Sequence, residues 1–149
     1  MYIASKQEEN RTGIIGYTAG VFDLFHIGHL NLLTEARKHC DKLIVGITTD
    51  ELSMSYKGKR PIIPYAERAA IIGAIRFVDE VIPQHAMDRY SVWENRGFDI
   101  TFVGDDWKGS AHWKKYEKIF SKVGVGVIYM PYTRHISSTL LRSKLQKPS

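Results

Sequence analysis

The sequence predicts an α/β architecture, a five-stranded parallel sheet with helices on both faces. Three observations carry that prediction. Short β-rich runs alternate with longer amphipathic ones along nearly the whole chain, the pattern of strand–helix–strand crossovers. One run, Lys42 to Thr48 (KLIVGIT), is apolar almost throughout, as a strand buried on both faces must be. The chain has 149 residues, 44% hydrophobic and 25% charged, which suits one soluble globular domain with enough core to fold without disulfides or a structural metal.

The elements follow in order. Gly13 to Thr18 (GIIGYT) reads as the first strand. From His26 to Cys40, Ile27, Leu30, Leu33 and Ala36 recur at helical spacing. Lys42 to Thr48 is the second strand, and Glu51 to Pro64 reads as the longest loop. Tyr65 to Phe77 is helical, Glu80 to Pro83 a short strand and Asp88 to Arg96 a weak helix. Asp99 to Gly104 (DITFVG), Ala111 to Val123 and Val125 to Met130 (VGVIYM) continue the alternation. Ser137 to Leu145 is a last helix with a serine cap. This is a Rossmann-like, doubly wound order, and ligands of such sheets bind beyond the carboxyl ends of the strands. Residues 1–12 read as a polar extension and 13–149 as a single domain.

Composition narrows the function. Lys and Arg outnumber Asp and Glu by 21 to 16, a net charge of +5 that suits an anionic partner. The single cysteine, Cys40, excludes an internal disulfide and fits a reducing compartment. No apolar stretch reaches the roughly 20 residues of a membrane helix. The polar start of the chain lacks an apolar signal region, so the expected location is the cytoplasm.

Four motifs fall at strand ends. The first is GVFDLFHIGHL, from Gly20 to Leu30. His26 and His29 share a helix face there, and Gly28 lets a phosphate approach the backbone. Two imidazoles at a helix N-terminus can stabilise charge building on phosphate oxygens. Asp23 is expected to hold the turn rather than touch substrate. The second motif is YKGKR, Tyr56 to Arg60, a mobile basic loop suited to closing over a triphosphate. Arg68 and Arg76 follow; either is within reach of a phosphate from the sheet edge, though surface exposure is the commoner fate of helix arginines. The third is VGDDWKGS, Val103 to Ser110, where Asp105 and Asp106 suit Mg²⁺, a ribose or a base amine and Trp107 offers a flat face to a base. The fourth is HISSTLLR, His135 to Arg142, whose Ser137, Ser138 and Thr139 open a helix as an anion nest, with Arg134 before them. A metal site built on HxxH lacks further ligands at zinc-like spacing. GxxxxGK[ST], GxGxxG and GxSxG are all missing from the sequence.

GVFDLFHIGH together with HISST resembles the HxGH nucleotidyltransferases. TTDE, the lysine loop, AIRFVDEVIP and GDDW extend the likeness to the cytidylyltransferases, the glycerol-3-phosphate cytidylyltransferases above all, from about Ile14 to Leu145. The resemblance implies Mg²⁺-dependent in-line attack of a phosphate oxygen on the α-phosphorus of CTP, with pyrophosphate released and no covalent enzyme intermediate. It implies that His26 and His29 bind the triphosphate and stabilise the transition state. It places Lys57 toward the attacking phosphate and Lys59 on the CTP phosphates, and it includes Arg76. Gly20, Val21, Phe22 and Gly28 would border the nucleotide. Asp106 and Trp107 would lie near ribose and cytosine, and Ile136, Ser137, Ser138 and Thr139 would hold the β- and γ-phosphates. Arg89 falls where the family has a lysine that contacts the acceptor. Members are commonly homodimers. Two departures stand out: Val21 replaces the threonine of GTFD, and Tyr132 stands where the family has the arginine of RTEGISTT, with Arg134 two residues on as its candidate replacement.

The expected activity is therefore CMP transfer from CTP to a small phosphorylated alcohol, sn-glycerol 3-phosphate first, giving CDP-glycerol. Phosphocholine, phosphoethanolamine or another polyol phosphate is an alternative acceptor, and an ATP-using adenylyltransferase an alternative enzyme. A nucleic-acid-binding domain is disfavoured, since neither an aromatic platform nor a recognition helix is evident, and no membrane partner is expected.

Overall fold

The computed structural model describes residues 13–133 and 135–146. The polar extension 1–12, residues 147–149 and Arg134 lie outside the described residues. Five strands form one parallel sheet: β1 (Ile15–Gly20), β2 (Lys42–Thr48), β3 (Glu80–Gln84), β4 (Ile100–Gly104) and β5 (Gly126–Met130), in the spatial order β3-β2-β1-β4-β5. Six helices connect and cover it: α1 (Ile27–Arg37), α2 (Asp50–Lys57), α3 (Tyr65–Gly73), α4 (Arg89–Arg96), α5 (Ala111–Lys122) and α6 (Ser138–Gln146).

Two apolar layers flank the sheet. Leu33 and Ala36 of α1 and Ile72 of α3 pack with Leu43, Val45, Ile47, Phe102 and Met130. On the other face Trp113 and Phe120 of α5, with Tyr90, Val92 and Trp93 of α4, cover Ile15, Tyr17, Ile44 and Val103. β2 is buried from Leu43 to Thr48, as its apolar run predicts. Pro83, which has no N–H to give a ladder, lies in β3 at the sheet edge.

A repeated device aligns the amino ends of the strands. An aspartate stands immediately before β2, β3 and β4, and each accepts a backbone N–H at the foot of a neighbouring strand. Asp41 takes Ile14 N, Asp79 takes Leu43 N and Asp99 takes Ile15 N, at 2.6–2.8 Å.

Two expectations are corrected. The 51–64 stretch is not an open loop, because Asp50–Lys57 is α2, capped by Thr49, whose hydroxyl accepts Leu52 N at 3.1 Å. That helix stops at Gly58, which takes the left-handed conformation (φ 75°) that glycine adopts without strain. The helix expected to reach Phe77 ends at Gly73.

Arg68 is neither exposed nor free to bind phosphate. It is 1% exposed. Its guanidinium donates to Ile63 O (2.8 Å), Val21 O (2.7 Å) and Thr48 O (2.8 Å) and pairs with Asp50 Oδ1 (2.6 Å). One planar fork thereby joins the ends of β1 and β2 to the start of α2 and the following loop. Arg68→Met leaves Asp50 and three carbonyls without their partner. It is expected to cost roughly 3–5 kcal/mol, read as a lower urea midpoint followed by tryptophan fluorescence.

Candidate active site

All parallel strands deliver their carboxyl ends to one edge, and the helices that follow begin there. Their N-termini, with partial positive charge, border a cleft of roughly 370 Å³. It lies across β1 and β4, where the winding direction reverses.

The histidine pair is built by its own backbone. His26 is the N-cap of α1, and its Nδ1 accepts Gly28 N at 3.0 Å. His29 Nδ1 accepts His26 N at 3.3 Å. Both Nδ1 atoms are thus acceptors, so each neutral ring carries its proton on Nε2. The rings stack with centroids 3.9 Å apart. Burial and the neighbouring His26 pull His29 down to about 4, against a weaker upward pull from Asp23, and burial lowers His26 as well. Two stacked imidazolium charges are thereby avoided at neutral pH. His26 Nε2 is buried without a hydrogen-bond partner among the described residues. Gly28 is required here: a Cβ on it would stand 2.8 Å from the His26 ring.

The two ends of the chain meet at this point. His29 Nε2 lies 3.5 Å from Ser138 Oγ, 109 residues away, and Ser138 donates to the carbonyl of Asp23. Asp23 organises the junction. It is 2% exposed, and its carboxylate accepts Ile62 N (2.8 Å), Ile63 N (2.9 Å) and Arg142 Nη2 (3.0 Å). Burial alone would raise its pKa, but those two N–H groups and Arg142 outweigh it and hold the carboxyl below its ordinary 3.8. Phe22 and Leu24, on either side, both have positive φ (55° and 49°), a strained geometry that persists only when its surroundings enforce it.

The other expected residues divide. Gly20, Val21, Phe22, His29, Lys57, Lys59, Arg89, Trp107, Ser138 and Thr139 line the cleft. His26 sits behind His29. Ile136 packs near Gly28, and the Ser137 hydroxyl is spent capping α6 by accepting Leu140 N at 2.9 Å. Asp106 lies near Tyr132, whose phenol is pushed up to about 12 by burial and by the Asp106 and Asp105 charges. Arg76 is exposed and falls between α3 and the first residue of β3, at the amino edge of the sheet and away from the cleft. The lysine segment is part helix and part tethered turn. Lys57 closes α2, Ser53 Oγ donates to Lys59 O at 2.9 Å, and Ile62 and Ile63 are tied to Asp23. Desolvation and the charges of Lys59 and Arg142 hold the Lys57 ammonium below its usual value.

Sequence reasoning missed Thr48, Gln84, Met87, His112 and Trp113, which also line the cleft. Thr48 Oγ1 and Gln84 Oε1 pair at 2.9 Å at the last positions of β2 and β3. A polar residue closing an otherwise apolar strand is the signal that could have found them. Among the described residues no three metal-ligating side chains cluster.

A doubly wound sheet whose cleft joins a neutral imidazole donor, a hydroxyl-opened helix and lysines that have no carboxylate partner among the described residues is the site of a nucleotidyltransferase. The chain belongs to the cytidylyltransferase-like family, whose model matches residues 17–144. It is 36% identical over 135 residues to a glycerol-3-phosphate cytidylyltransferase of Bacillus subtilis, covering 86% of this chain and 94% of that one. It is 39% identical over 129 residues to the protein of that name from Bacillus spizizenii, with the same coverage. An FAD synthase of Thermococcus sibiricus is 33% identical over 116 residues, 77% of this chain and 78% of that protein. A lipopolysaccharide core biosynthesis protein from Thermoplasma volcanium superposes with a TM-score of 0.69 at 28% identity, covering 84% of this chain and all of that one.

Two outcomes follow. Nitrogen NMR is expected to show both rings as Nε2–H tautomers, with His29 titrating near 4 rather than 6.5. The unfolded chain takes up that proton first, so stability should decline as pH falls from 6.5 toward 4. Asp23→Ala is expected to cost roughly 3–5 kcal/mol in chemical denaturation at neutral pH. Asp23's contribution is complete above pH 3.8 and disappears as pH falls through its lower folded value.

Proposed function

We propose that this enzyme transfers CMP from CTP to a small phosphorylated alcohol, sn-glycerol 3-phosphate first, releasing pyrophosphate and forming CDP-glycerol. The observation that carries the reading is the meeting of His29 with the α6 opening at Ser138, beside the unpartnered Nε2–H of His26. An acceptor phosphate oxygen attacks the α-phosphorus in line, and the P–O bond to pyrophosphate breaks as the new one forms. His29 donates to the oxygens that gain charge, as a neutral donor that needs no proton removed, with the His26 ring stacked on it. Ser138, Thr139 and the α6 N-terminus hold the β- and γ-phosphates, and Lys57 and Lys59 neutralise charge from the lip of the cleft. Trp107 and Asp106 border the nucleoside. Mg²⁺, bound to the triphosphate, would supply further charge neutralisation.

The acceptor is supported by the names of the two Bacillus relatives. Arg142, following ISST, and the FAD synthase relative favour ATP as the competing nucleotide. We read the enzyme as a cytoplasmic homodimer that takes neither nucleic acid nor a membrane as partner. Among the described residues no helix is long and apolar enough to cross a membrane.

A pyrophosphate-release assay crossing CTP and ATP with glycerol phosphate and other phospho-alcohols tests the reading. Release is expected with CTP, and silence with every pair would refute it. His29→Ala is expected to lower kcat 10²–10³-fold while the chain stays folded, the loss of one transition-state donor.

A further inference from the structure

Two aromatic rings line the cleft with much of their surface exposed, Trp107 at 39% and His112. One tight turn carries both. Trp107 ends the 3₁₀ turn Asp105–Trp107 that follows β4, and His112 lies in the first turn of α5. Between them Gly109 takes a left-handed φ of 84°, which lets Ser110 N donate back to Trp107 O at 3.1 Å. The Ser110 hydroxyl then caps α5 by accepting Trp113 N at 3.2 Å. The chain thus folds back on itself and brings the two rings to a centroid separation of 6.4 Å, tilted by 53°.

His112 is braced from within α5. Its ring meets Tyr116 edge to face at 4.9 Å and Trp113 at 6.2 Å, and Tyr116 is itself held by donating to Asp88 Oδ1 at 3.0 Å. Among the described residues the imidazole has no hydrogen-bond or ion-pair partner. What His112 offers the cleft is therefore ring surface rather than a committed polar atom. Two rings that hold a third between them stand about 7 Å apart, twice the ~3.5 Å contact distance of carbon atoms. The spacing of Trp107 and His112 is near that value, and the tilt makes the gap a wedge. Both side chains are exposed, so rotation about their torsions can close the wedge on a flat ligand.

We propose that His112 is the second wall of the nucleobase site: the base of the nucleoside triphosphate enters between Trp107 and His112 and stacks on both rings. This rests on the nucleotidyl-transfer reading above, in which Trp107 borders the nucleoside. His112 itself lies outside GDDW and outside every other motif of the sequence. Stacking of a base on one aromatic side chain changes affinity roughly 5–150-fold.

The test measures KM and Kd for CTP, and Kd for inorganic tripolyphosphate, all with Mg²⁺, in the wild type, His112→Ala and His112→Phe, with folding checked by circular dichroism. Tripolyphosphate offers the phosphates without a nucleoside, so the ratio of its Kd to that of CTP isolates what the nucleoside adds. His112→Ala should raise KM and Kd for CTP roughly 5–150-fold, leave kcat within about threefold and leave Kd for tripolyphosphate unchanged. His112→Phe keeps a ring and should keep Kd for CTP within about threefold of wild type. An unchanged Kd for CTP in His112→Ala overturns the proposal. So does an equal loss of affinity for CTP and tripolyphosphate, which marks a general effect on the cleft. A His112→Phe as impaired as His112→Ala overturns it too, because the contact is then made by a ring nitrogen. All three results leave nucleotidyl transfer standing. If no pair of nucleotide and acceptor releases pyrophosphate, the transfer reading falls and the Kd values alone decide the proposal.

Discussion

Two buried charges at the carboxyl edge of the sheet govern everything built there. Asp23 and Arg68 do not pair with each other. Each instead gathers backbone from segments distant in sequence: Asp23 takes the N–H groups of Ile62 and Ile63 and the guanidinium of Arg142, and Arg68 takes the carbonyls of Val21, Thr48 and Ile63. Strand ends and irregular loops leave backbone groups unsatisfied, and burying them uncompensated is costly. A carboxylate collects donors and a guanidinium collects acceptors, so the two side chains divide that work. Their shared product is a fixed junction of the β1 loop, the lysine segment and α6.

The electrostatics of the cleft follow from that junction. Positive charge borders the cleft, yet burial lowers the pKa of both histidines and the neighbouring His26 lowers that of His29 further. Neutral imidazoles suit a phosphoryl site bordered by Lys57, Lys59, Arg60 and Arg142, because they donate hydrogen bonds without adding repulsion. Their tautomer is set by ordinary capping of α1, so the histidine pair and the helix N-terminus are one structure.

The opposite wall has a different chemistry. Trp107, His112, Trp113 and Tyr132 make it aromatic, and Arg89 makes it cationic. Burial and the charges of Asp106 and Asp105 raise the pKa of the Tyr132 phenol on this wall.

The parallel sheet, its crossover helices and the clustering of motifs at strand ends were legible in the sequence, because they follow from local periodicity and from the rule that one edge collects every strand terminus. The pairing of His26 with His29 was legible for the same reason, since three residues of helix bring them to one face. The fate of each arginine was not. Arg68, Arg76 and Arg89 look alike in sequence, yet one became a buried bracket, one stayed exposed at the amino edge and one lies over two rings on the cleft floor. The helix inside the 51–64 stretch escaped for a related reason: its one buried side chain is the polar Ser53, and its start is held by the Thr49 cap and by the pairing of Arg68 with Asp50. Local propensity fixes which segments become helix or strand. Where a long charged side chain ends is decided by partners tens of residues away, and only the assembled edge of the sheet brings those partners within reach.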